Sequence, residues 1–210
     1  MPKALAREEL QARTRADVLA AAQEVFLSNG FHATSIAQIA AAAGRTHGAI
    51  YGHFPSKEAL CQEVLRLHYE QWLADVTAAV LAVTDIAAKL AVVDGKWRAL
   101  NTETAWATLA VEFVFASRQD PVRAASITET ATALQAGVRL LLISQAAGTD
   151  IDVDPDVVDR AAVSLVALGL GLVIAGVLGT VDADSSAATA MENTRMWLAR
   201  CGVPEDQLVG

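Results

Sequence analysis

Tyr51, His53 and Lys57 crowd together on one rim of a short helical pattern whose outer face, His47, Gly48, Ala49, Gly52 and His53, is small or polar. Tyrosine and lysine side chains and helix N-termini bind phosphate oxygens, and residues in the first turn of a helix laid in a major groove meet base edges. The chemistry that suits these residue types is therefore nucleic-acid recognition. No Ser-His-Asp, Cys-His or paired-carboxylate arrangement stands out as an enzyme's would. Cys61 and His68 share a helical spacing, but no third group can be assigned to orient them.

These residues need elements to position them. Residues 34–58 read TSIAQIAAAAGRTHGAIYGHFPSKE. Thr34 and Ser35 suit a helix start, and Ser35 and Gln38 have capping-box spacing. Ile36, Ile39 and Ala40 recur at helical period, and Ala43-Gly44 closes that helix, because glycine accepts the left-handed conformation of a C-terminus. Thr46 caps a second helix with Ile50 and Phe54 on its inner face. Pro55 stops it, and Ser56 starts the next. A helix, a tight glycine turn and a short second helix make the helix-turn-helix pattern. The plain alternative is two core helices joined by a turn. A purely structural helix, however, has no reason to gather Tyr51, His53 and Lys57 on one rim.

The segment Thr14–Leu65 resembles the DNA-binding domain of the TetR family of transcriptional repressors. The residues that carry the resemblance are Gly30-Phe31, Thr34-Ser35, Ile39-Ala40, Ala43-Gly44, Ile50-Tyr51, His53-Phe54, Lys57-Glu58 and Leu60. The resemblance implies a repressor that binds operator DNA as a dimer and is released by a small molecule. It implies that Thr34, Tyr51, His53 and Lys57 hold phosphates, and that Thr46, His47, Gly48 and Ala49 face base edges. Three positions depart from the family pattern. Arg45 stands where an aliphatic residue is usual, Gly52 where a larger side chain is usual, and Ala49 where a hydroxyl is common. Arg45 is either a guanine or phosphate contact or a solvated turn residue.

Length and composition fit this picture. The 210 residues are 53% hydrophobic but only 5% aromatic, with five prolines and no alternating strand-like run, which favours an all-α protein. The net charge of −8 is uneven: residues 1–60 carry six Lys/Arg against five Asp/Glu, so the acidic excess lies beyond residue 60. The N-terminal part alone approaches a polyanion without strong repulsion. Lys3, Arg7, Arg13 and Arg15 either reach a flanking groove or form a frayed, solvated tail. Cys61 and Cys201 make neither a disulfide framework nor a metal spacing, and read as packed thiols in a reducing cytoplasm. No cofactor or metal is expected, and no signal-peptide stretch opens the chain.

The expected organisation is a three-helix helix-turn-helix head over residues 1–55 with a basic arm. A larger helical ligand-binding and dimerisation body follows over 56–210. The pattern predicts a first helix over Thr14–Ser28, a long helix over Ser56–Val83, and short segments at Ile86–Asp94 and Lys96–Leu100. Helices over Glu103–Ser117 and Val122–Ala147 come next, and the last is predicted over Ser185–Arg200. Asp154 and Pro155 open another. Asp150, Asp152 and Asp154 match the first ligand positions of a calcium loop, but Pro155 occupies the glycine position and Ala161 the bidentate glutamate's, so capping explains the acids better.

Ala161–Val181 carries no charge over its 21 residues. It is long enough to span a bilayer, yet it sits late in a chain of otherwise amphipathic helices. Ala167, Gly171, Ala175 and Gly179 give it a small-residue face at spacing four, and a helix apolar all round must be covered on several sides. The expectation is a homodimer interface rather than a membrane span. The effector pocket is expected to be largely apolar, with Trp106, Phe113, Gln135 and Arg139 as its candidate residues. The expected partners are thus double-stranded operator DNA, a small-molecule effector and a second copy of the chain.

Overall fold

Helix formers fill the long stretches between caps, and the chain folds accordingly. A computed structural model describes residues 2–146 and 153–208, and among these every regular element is helical. In order they are α1 (Pro2–Ala33), α2 (Ile36–Ala43), α3 (His47–Tyr51), α4 (Lys57–Leu81), α5 (Ile86–Thr102), α6 (Thr104–Ser117), α7 (Pro121–Ala146), α8 (Pro155–Val177) and α9 (Ala183–Arg200), then a 3₁₀ turn at Glu205–Gln207. The all-α reading of the sequence holds.

Two compact units emerge. The first comprises Met1–Tyr69 and Thr108–Ala124; the second comprises Glu70–Ala107 and Ala125–Gly210. The unit that holds the helix-turn-helix therefore extends beyond residue 55. It takes in the first half of α4 and most of α6.

Helix boundaries differ from expectation at three places. α1 begins at Pro2, not Thr14, because Pro suits the first helical position and no breaker separates Lys3 from Thr14. α5 runs unbroken through Gly95, where two segments were expected. A solvent-facing glycine costs a helix only about 1 kcal/mol, and Arg98 bridges it by donating to Asp94 at 2.8 Å. α8 ends at Val177, short of Val181. There Gly179 takes φ 69°, and the amide of Thr180 donates to the carbonyl of Ala175 at 2.9 Å. This is a glycine-closed helix end, so Gly179 lies outside the small-residue face assigned to it. Asp154 and Pro155 do open α8, the Asp154 carboxylate accepting from the amide of Asp156. Asp150 and Asp152 lie outside the described residues.

In the first unit, Val18, Ala22 and Phe26 of α1 are buried, as are Ile39, Ile50, Phe54, Leu60 and Leu109. Cys61 lies in this core; burial pushes its thiol up to about 12, so it is a protonated packing group at neutral pH. Glu63 of α4 receives hydrogen bonds from Arg66 and Arg15. The Arg66 bond, then that of Arg15, holds its carboxyl near 2 against burial, from an ordinary 4.5. A depressed carboxyl stabilises the fold above its unfolded pKa and loses that contribution as pH falls toward the folded one. The melting temperature of the wild type should therefore drop further than that of Glu63→Gln between pH 4.5 and 2. Parallel curves for the two proteins would contradict the pairing.

In the second unit, α9 packs against α5 and α8. The Trp97 indole donates to Ser186 Oγ at 3.1 Å, and Ser186 donates to Asn101 Oδ1 at 3.2 Å, which satisfies these polar groups inside the unit. Val158, Ala161, Ala162, Val166 and Leu172 form the buried stripe of α8. Its other side is bare: Val163, Leu170 and Ile174 are 52%, 49% and 37% exposed, and Leu178 just past the helix is 69% exposed.

Candidate nucleic-acid interface

The interface rests on two capped short helices. The Ser35 hydroxyl accepts from the Gln38 amide while the Gln38 side chain accepts from the Ser35 amide, so the capping box read in the sequence is present. Gly44 closes α2 at φ 61°, with the amide of Arg45 donating to the carbonyl of Ala40 at 3.0 Å. The Thr46 hydroxyl accepts from the amide of Ala49 at 3.2 Å and starts α3. A five-residue helix is too short to persist alone. Ile50, fully buried, and Phe54 anchor it to the unit's core.

This anchoring sets what faces solvent. Thr46, His47, Gly48, Tyr51 and Gly52 are exposed, while Ala49 and His53 are half-buried. The ring of Tyr51 stands 53% exposed beside the small residues. A Cβ on Gly52 would lie 3.3 Å from the carbonyl of Gly48, so the short side chain here also suits the tight end of α3.

Other assigned residues are turned inward. Thr34 is buried, and its hydroxyl donates to the carbonyl of Gly30 at 2.7 Å. The Lys57 ammonium donates to the carbonyls of Phe31 and Thr34, at 2.8 and 2.9 Å, and lies 4.4 Å from the Phe31 ring centroid. A phosphate contact from either residue would compete with these bonds. Arg45 forms an ion pair with Asp17 of α1 at 2.6 Å, a partner that neither sequence reading of Arg45 contained. Arg15 pairs with Glu63 and lies over Phe54, so it is part of the scaffold and not of a frayed tail. The side chains of Lys3 and Arg7 lie outside the described residues.

The four effector-pocket candidates do not share one environment. Phe113 is 3% exposed in the first unit, edge-on to Phe31 with ring centroids 5.6 Å apart, and is a core residue there. Arg139 pairs with Asp159 in the second unit. Trp106 and Gln135, also of the second unit, are half-buried. A shallow groove between α5 and α9 is lined by Leu90, Asp94, Arg98, Met191 and Arg195, among others, and by none of the four.

Some partners in the first unit leave no signal in the local sequence. Glu112 of α6 accepts the amide of Phe31 at 2.6 Å across 81 positions of sequence. No local pattern signals so distant a partner.

Residues 18–64 match the model of the tetR family of bacterial regulatory proteins. The HTH-type transcriptional regulator UidR of Escherichia coli K12 is 43% identical over 61 residues, which cover 29% of this chain and 31% of UidR. The HTH-type transcriptional activator FasR of Mycolicibacterium smegmatis is 38% identical over 71 residues, covering 34% of this chain and 32% of FasR. The chain thus matches about a third of the length of these curated relatives, and they are regulators, not enzymes.

Solved structures match far more of the chain. Salmonella enterica GusR is 26% identical with a TM-score of 0.60, covering 91% of this chain and 96% of GusR. A TetR-family transcriptional regulator from Streptomyces coelicolor shares the fold at 22% identity and TM-score 0.63, covering 91% and 97%. The regulator FadR from Bacillus subtilis, in complex with stearoyl-CoA, shares it at 19% identity and TM-score 0.65, covering 88% and 98%. Residues 18–64 thus match the tetR family of bacterial regulatory proteins in sequence, and the chain as a whole shares the fold of these solved regulators.

Proposed function

We propose that this chain is a ligand-responsive transcriptional repressor. It binds a pseudo-palindromic operator as a homodimer and is released by a small, largely apolar molecule. The observation that carries the reading is the head. A capped, core-anchored α3 displays Thr46, His47, Gly48, Tyr51 and Gly52 to solvent, the arrangement a major groove requires. The near-neutral charge of residues 1–60, in a chain of net −8, supports approach to DNA through this end. Its place of action is then the cytoplasm, with the DNA.

The dimer reading rests on the bare side of α8, where Ala167 and Gly171 lie exposed among Val163, Leu170 and Ile174. One short recognition helix reads few base pairs, so two copies about a twofold axis are expected on a palindromic site. The apolar effector is supported by the stearoyl-CoA bound to FadR, whose fold this chain shares. Trp106 and Gln135 remain the proposed pocket residues, with Arg139 reached only by parting from Asp159.

Selection of bound DNA from a random-sequence library tests the reading. A palindromic site should emerge; failure to enrich any sequence would overturn it. His47, exposed in the first turn of α3, should carry part of the readout. His47→Ala should relax preference at one or two positions per half-site, by about 1–3 kcal/mol each. An unchanged selected site would remove His47 from the readout.

α8 is also long and apolar enough to cross a membrane, with a mean hydropathy of 2.1. Its buried stripe and the Trp97 ring, 3.3 Å from a Cβ built on Gly169, favour a helix packed within the second unit. Recovery of the chain from the membrane fraction alone would reverse that preference.

A further inference from the structure

The corner between α1 and α2 is held from several directions. Gly30 breaks α1 at φ 78° and ψ 174°, a conformation open essentially to glycine alone. The break removes the helical partner of the next amide, that of Phe31, and a buried amide needs an acceptor. Glu112 supplies it at 2.6 Å. On the other side of the same residue, Lys57 takes the carbonyl of Phe31 at 2.8 Å. The Phe31 ring is only 4% exposed, between Lys57 on its face and Phe113 at its edge. Thr34, three residues on, donates to the carbonyl of Gly30 and leads directly into the Ser35 cap of α2.

We infer that Glu112 is a positioning residue for DNA recognition: by holding the Phe31 amide it fixes the direction in which α2 and α3 leave α1. The inference rests on the regulatory reading above. Glu112 belongs to α6 and not to the displayed face, and it is half-buried, where a charged acceptor holds an amide about twice as strongly as a neutral one. The same contact accounts for glycine at position 30 a second time. A Cβ there would lie 2.8 Å from Glu112 Oε2, so a side chain at position 30 would also push the carboxylate from its place beside the Phe31 amide.

The test compares Glu112→Ala and Glu112→Gln with wild type on two duplexes of equal length. One is the sequence that wild type enriches from a random library; the other is scrambled. Glu112→Ala should bind the enriched duplex about tenfold more weakly, the scale of losing one charge-assisted hydrogen bond. It should bind the scrambled duplex almost as wild type does, because attraction to phosphates survives. Glu112→Gln keeps an acceptor and should stay within about threefold of wild type. Amide hydrogen exchange supplies a readout independent of DNA. In Glu112→Ala, exchange should rise at Phe31 and through α2, and stay unchanged in α8 and α9. Equal loss on both duplexes, or exchange rising throughout the first unit, would show a merely structural role and overturn the inference. Wild-type affinity in Glu112→Ala would overturn it while leaving the regulatory reading intact. If wild type enriches no sequence, the regulatory reading falls and the recognition role of Glu112 with it, whatever exchange shows at the corner.

Discussion

Ile50→Ala should abolish selective operator binding while leaving the melting of the second unit unchanged. Ile50 is fully buried and is the fourth residue of a helix only five residues long. Such a helix has no independent stability; its place is set by the Thr46 cap and by Ile50 and Phe54 in the core. Truncating a buried isoleucine to alanine costs about 2–5 kcal/mol, through lost transfer free energy and the cavity left behind. Spent on so small an element, this frees α3 to shift or fray, and His47 and Tyr51 lose their fixed spacing. α8 and α9 belong to the other unit. The measurement is a pair: operator affinity by fluorescence anisotropy and a calorimetric scan that resolves the two units. Retained selective binding at wild-type affinity would show that α3 is not the reading element.

Gly171→Leu should make the single chain no less stable and the dimer far weaker. A Cβ at Gly171 meets nothing within 4 Å in the single chain, so the added side chain has no clash to resolve. Replacing a mid-helix glycine by a good helix former gains roughly 0.5–1 kcal/mol instead. In a dimer packed on the bare side of α8, the same leucine meets its counterpart near the twofold axis. Overpacking there costs about 1–3 kcal/mol per copy. The two effects have opposite sign, which separates interface from fold. Sedimentation should show the dimer dissociation constant raised at least about tenfold, and operator affinity should fall with it. A dimer of unchanged strength would place the interface elsewhere.

The parts of this molecule legible in the sequence are those set by neighbours along the chain. The capping box at Ser35, the left-handed Gly44, the Thr46 cap and the Asp154-Pro155 start each depend on residues within a few positions. Ile50 and Phe54 read as inner face from period alone and are buried. Leu67 of α4 follows the buried Leu60 and Val64 at helical period yet is 39% exposed; helical period gives a face, not what covers it. The misjudged ends have local causes of another kind. At Gly95 a breaker was overridden by an i, i+4 ion pair, and at Gly179 a glycine served as a stop where it had been counted as a packing surface. What stayed hidden is long-range. Asp17 meets Arg45, Glu63 meets Arg15 and Glu112 meets Phe31 over separations of 28, 48 and 81 residues. Only the folded chain determines which charges are already engaged, and hence that Lys57 faces inward.

The two cysteines fall one to each unit, Cys61 in the first and Cys201 in the second, and both are buried. Burial pushes both thiols up from their ordinary range, so an alkylating reagent reaches either one as a thiolate only when its own surroundings open. The chain thus carries a native chemical clock in each half. The labelling rates at the two sites, followed with added denaturant, report two separate opening free energies from one unmodified sample. A DNA fragment that shields Cys61 while leaving the rate at Cys201 untouched would reveal, without any introduced probe, which half it steadies.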